Sequence, residues 1–164
     1  METDFMLAHR STTHAPAIPA NEPNCAERKM EITVLFTGLS STLQALAKAN
    51  DLARDLRALI RLVVPQVVPY PLPLTGPPVL LEFNERRFNA LAAAQAVETR
   101  VEIFLCRDLD ILLEAILPEH STIVIGGRKR WWPTQEELLA RRLCRQGHET
   151  ILVAAPRQGE NAHA

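Results

Sequence analysis

The chain has 164 residues, 47% of them apolar and 23% charged, with 18 basic and 19 acidic side chains leaving a formal charge of −1. That is enough chain for one domain with a genuine core. It excludes a strong global field for nucleic acid or an anionic membrane. Three widely spaced cysteines, Cys25, Cys106 and Cys144, form no C-x-x-C and argue against a disulfide framework or a zinc site, so a reducing, cytoplasmic setting is expected.

Residues 1–29 mix Thr, Ala, Pro, Asn and His without periodicity, and a disordered arm is expected there, with no signal peptide visible. Glu31 to Thr37 reads as the first strand and Gly38-Leu39 as its turn. Ser41-x-x-Gln44 has the spacing of a capping box, ahead of helix formers running to about Leu56. Leu43, Leu46, Ala49, Ala53 and Leu56 recur at helical spacing and mark a sheet-facing side. Leu59 to Val64 is the second strand, and its long helical connection to the first predicts parallel pairing.

Six of the twelve prolines then fall between Pro65 and Pro78, which predicts an extended loop outside the sheet. Arg61 and the prolines also break the longest apolar region, so no membrane span is expected. A helix is predicted from about Leu81 to about Glu98, around Ala92-Ala93-Ala94, then a third strand over Val101–Cys106. Asp108 caps a short helix that Pro118 ends.

Thr122-Ile123-Val124-Ile125 suits a strand buried on both faces, stopping at the glycine pair Gly126-Gly127. A basic, aromatic run follows, Arg128-Lys129-Arg130-Trp131-Trp132-Pro133. Thr134 and Glu137 have capping-box spacing for a helix to about Gln146, with Gly147 as its left-handed stop. Ile151–Ala154 is the fifth strand, and residues 157–164 form a polar tail expected to be flexible.

The candidate chemistry is sparse. Ser40 and Ser41 follow a strand-to-helix turn, but Gly-x-Ser-x-Gly is absent and no histidine is placed as a base, so they read as helix caps. His120, His148, Cys106 and Cys144 lack ligand spacing, so no metal is expected. Asp108 and Asp110 suit a helix start, and Arg141, Arg142 and Arg145 suit a helix end. Trp131 and Trp132 read as a cover for the sheet edge or as a partner anchor; single-stranded nucleic acid would need a longer basic groove.

Taken in order, these elements resemble the universal stress protein family over residues 30–156, most closely through Val101–Asp108, Ser121–Arg128 and Ile151–Ala154, with the Thr37-Gly38-Leu39-Ser40 turn in support. The resemblance implies an open α/β fold: five parallel strands in the order 3-2-1-4-5, helices on both faces, and a homodimer joined through Ile151, Leu152, Val153 and Ala154. Nucleotide-binding members carry an Asp after the first strand, a Gly-x-x-Gly after the fourth, and a Gly followed by Ser or Thr near the last helix. Here Gly38, Lys129 and the pair Glu136-Glu137 stand instead. What the resemblance implies is therefore a regulatory or interaction protein of the stress response, non-catalytic and without ATP, acting on an unidentified protein partner. The alternative is an ATP-binding switch whose ligand would meet Thr37, Gly38, Ser40, Gly126, Gly127, Arg128 and Lys129.

Overall fold

The computed structural model describes residues 6–14, 30–74, 80–128 and 132–155. In chain order these are β1 (Met6–His14), β2 (Glu31–Leu35), α1 (Leu39–Leu56), β3 (Leu59–Val67), α2 (Leu81–Ala93), β4 (Thr99–Cys106), α3 (Leu109–Ile116), β5 (Thr122–Arg128), α4 (Gln135–Arg145) and β6 (Glu149–Ala155). The strands form one sheet in the order β1-β4-β3-β2-β5-β6, with β2 to β6 all parallel.

The sheet is buried on both faces, as the near-continuous apolar strands require. Ile32, Val34, Ile60, Leu62, Val101 and Ile103 point to one side, where Ala45, Leu46, Ala49 and Ala53 of α1 and Phe88 and Ala92 of α2 meet them. Leu35, Val63, Phe104, Ile123 and Ile125 point to the other, against Leu112 and Leu113 of α3 and Ala140 and Leu143 of α4. One charged pair is set among them. Arg61 Nε donates to Glu102 Oε2 at 2.8 Å and its Nη1 to the Ile116 carbonyl at 3.1 Å, so the guanidinium also sits at the negative end of α3.

Several expectations are corrected. The sheet has six strands and not five, and it is not wholly parallel: β4-β3-β2-β5-β6 follow the succession 3-2-1-4-5, but part of the presumed disordered arm is β1, which joins outside β4. It runs antiparallel to β4, from Met6↔Cys106 to His14↔Thr99. An edge strand of this kind is held through main-chain pairing, which residues such as Thr12 and Thr13, both exposed, do not advertise as an apolar pattern. The remainder of that arm, and the tail after Ala155, lie outside the described residues.

Pro65 lies inside β3, opposite Phe104, and not in a loop. Ile60 N–H reaches Glu98 O and Val68 N–H reaches Cys106 O, whereas Leu59 N–H reaches Met30 O. Even-numbered residues of β3 therefore face β4 and odd-numbered ones face β2. The donor that Pro65 lacks would point toward β2, which has already ended at Leu35. The proline costs the ladder nothing.

Helix α1 starts earlier than the capping-box spacing suggests. Gly38 is its N-cap, with no side-chain cap, and Ser41 and Gln44 lie within it. Its buried side is also rotated: Leu43 and Leu56 are exposed while Ser41, Thr42 and Ala45 are buried. Helix α2 ends at Ala93, short of Glu98. The other two starts follow their caps. Asp108 accepts from Asp110 N at 2.8 Å and Ile111 N at 3.2 Å, and Thr134 accepts from Glu137 N at 3.3 Å. Gly147 ends the α4 segment at φ 93°, a left-handed conformation that suits glycine.

Candidate functional site

The sheet changes direction of winding at β2, which lies between β3 and β5. The segments leaving the carboxyl ends of β2 and β5 diverge there, and such a switch point is where open α/β sheets hold ligands. A two-lobed cleft occupies it. One lobe, of about 560 Å³, is mainly apolar and is walled by Leu35, Phe36, Pro65, Val67, Leu138 and Leu139. The other, of about 450 Å³, is polar and is reached by Gly38, Ser41, Arg128, Trp132 and Thr134. Thr37, Gln135 and Glu136 line both, so the two lobes adjoin.

Two helix N-termini look into this cleft, and two glycines let them approach. A Cβ on Gly126 would lie 1.9 Å from the Ser41 carbonyl oxygen, so glycine there lets the first turn of α1 rest directly on β5. A Cβ on Gly127 would lie 3.3 Å from Leu152 Cδ1 and 3.5 Å from Glu136 Cβ, on the α4 side. The strand does not stop at this pair. Gly126 and Gly127 stay in the ladder opposite Val153 and Ala154, and β5 runs to Arg128. The Gly126 carbonyl additionally accepts from Thr37 Oγ1 at 2.7 Å, which ties the β2 exit to β5.

The sequence-predicted ligand residues divide accordingly. Thr37, Gly38 and Arg128 line the polar lobe, Ser40 is exposed at the second position of α1, and Gly126 and Gly127 are buried packing positions. Lys129, with Arg130 and Trp131, lies outside the described residues; Trp132 is 78% exposed. Sequence reasoning missed most of the apolar lobe. Pro65 and Val67 were expected in a loop, and Leu109, Leu138 and Leu139 converge only when α3 and α4 pack side by side.

Among the described residues the charges in the cleft are balanced. Arg142 pairs with Asp110 across the apolar lobe, and Arg128 and Glu136 both line the polar one. Burial, reinforced by the Asp108 carboxylate, pushes the Cys106 thiol up to about 11, so at neutral pH it is a protonated core group and a poor nucleophile. Among the described residues no group of three His, Cys, Asp or Glu side chains is placed to hold a metal ion.

At the far edge of the sheet, Ile151 and Val153 of β6 are half-buried against the α1 side, while Leu152 is 40% exposed. Glu149 N–H bonds to Ser121 O, so by alternation the N–H and C=O groups of Thr150, Leu152 and Ala154 point outward. No described strand pairs with that edge. No helix among the described residues is long and apolar enough to cross a membrane. Compared with protein-family models, curated proteins and solved structures, the chain gives no match.

Proposed function

We propose that this chain is a non-catalytic regulatory module of the stress response, built on a universal-stress-protein-like scaffold and working in the cytoplasm as a homodimer that engages a protein partner. The observation that carries the dimer is the outer edge of β6, where no described strand pairs with the main-chain groups of Thr150, Leu152 and Ala154, beside the exposed Leu152 side chain. Exposed strand edges with apolar side chains are covered in stable proteins, and a second copy of the same edge is the simplest cover. Native mass spectrometry of the full chain then gives a dimer. Leu152→Pro removes one outward donor and leaves the β5 ladder intact, so it converts the dimer to a folded monomer. A wild-type chain that stays monomeric at all concentrations defeats this reading.

The switch-point cleft favours a second reading, a module that responds to a bound ligand, ATP in the family-like version, through Thr37, Gly38, Ser40, Gly126, Gly127, Arg128 and Lys129. Magnesium–ATP that raises the melting temperature and changes tryptophan fluorescence supports it; a titration to saturation with neither change removes ATP as the ligand.

A further inference from the structure

Helix α1 presents an unfinished first turn to the polar lobe. Gly38 brings no side-chain acceptor, the turn contains no acidic residue, and the first internal bond runs from Thr42 N–H to Gly38 O at 2.8 Å. The N–H groups of Leu39, Ser40 and Ser41 therefore precede the helical ladder, at the end of an 18-residue dipole worth about half a positive charge. Water alone would satisfy a bare terminus. Ser41 is a separate observation: it is 4% exposed, it lines the polar lobe, and its hydroxyl has no hydrogen-bond partner among the described residues. That hydroxyl is not sealed off from the lobe, so it is free to donate to a polar group brought there. Arg128 reaches the same lobe from β5.

The described side chains leave little net charge for a ligand to meet. Arg128 stands against Glu136 in this lobe and Arg142 is committed to Asp110 in the next. A triphosphate would bring about four negative charges to a cleft whose described side chains sum to none. A single carboxylate or phosphate monoester matches one helix terminus, one hydroxyl and one arginine. The adjoining apolar lobe beyond Thr37 has room for a short hydrocarbon or aromatic body.

We infer that the cleft takes an amphipathic oxyanion, its head on the Leu39–Ser41 N–H groups, Ser41 Oγ and Arg128, and its apolar body between Phe36, Val67 and Leu138; this rests on the ligand-cleft reading above. Calorimetric titration of the full chain tests it, with octanoate and octyl phosphate as probes and octanol, inorganic phosphate and magnesium–ATP as comparisons. Both amphiphilic anions bind, octanol and inorganic phosphate bind at least about tenfold more weakly, and the relative strength of octanoate and octyl phosphate tells which head the site prefers.

Ser40→Asp separates folding from binding. Its carboxylate suits the helix dipole, so the melting temperature holds or rises, while the same charge repels the ligand head and weakens binding at least about tenfold. Arg128→Gln weakens binding in the same direction without touching the helix. If the anions bind but octanol binds as well, or Ser40→Asp changes nothing, the head placement is wrong while the ligand cleft survives. If magnesium–ATP binds and the amphiphiles do not, the nucleotide reading stands and this inference falls. If no probe binds, the inference fails together with the reading it rests on.

Discussion

The N-termini of α1 and α4 face the same cleft and are finished in opposite ways. Thr134 caps α4 from its own side chain, and Glu136 and Glu137 neutralise its dipole from the first turn. Helix α1 begins at Gly38 with neither a side-chain cap nor an acidic residue. The glycines beneath them differ in the same sense. Gly126 is pressed under α1, where a Cβ would meet backbone at 1.9 Å, while the nearest atom to a Cβ on Gly127 is a movable leucine methyl at 3.3 Å. The lesson is that closeness to a helix start does not make an anion site. The terminus has to be left unsatisfied, and α1 alone of the pair meets that condition.

Gly126→Ala breaks this contrast most severely. The added methyl collides with the Ser41 carbonyl and forces the first turn of α1 away from β5, so a loss of about 3 kcal/mol or more and a melting temperature lower by roughly 6–12 °C are expected in calorimetry. Gly127→Ala is the control; a shift of Leu152 relieves its contact and the loss stays below about 1 kcal/mol. Equal losses for the two would show that α1 is not the helix held by its glycine.

Thr134→Ala comes next in size. It deletes the α4 cap and costs about 1 kcal/mol by denaturant titration, leaving α4 without a side-chain cap, as α1 is, but with Glu136 and Glu137 still in its first turn. Gly38→Asp makes the converse change. Gly38 has φ 170°, an extended value open to any residue, and a Cβ there meets nothing within 4 Å. The new carboxylate caps α1, raises stability by about 0.5 kcal/mol and fills the place where a ligand head would sit. A loss of stability in that variant would mean that the terminus is already occupied from within the chain.

Much of the fold was legible in the residues themselves. Thr122 to Ile125, Val101 to Cys106 and Leu59 to Val64 are runs too apolar to be anything but buried strands, and the caps at Asp108 and Thr134 mark their helices because a side-chain oxygen two or three residues from an orphan N–H is a local device. What failed was what depended on a neighbour. Met6–His14 carries no apolar alternation because its pairing with β4 is made by backbone. Pro65 looked like a strand breaker because a sequence does not state which edge its nitrogen faces, nor that β2 has ended there.

The candidate site divides along the same line. Thr37, Gly38 and Arg128 could be named from their place at strand ends, but Ser41 passed for a cap and nothing local singled out the leucines of α3 and α4. The chain by itself determined which segments are strands and helices and where most of them begin, since those choices rest on interactions within a few residues. Only the packed structure decided that Gly126 serves helix contact and that one helix start is left open, because both follow from distances between segments some ninety residues apart.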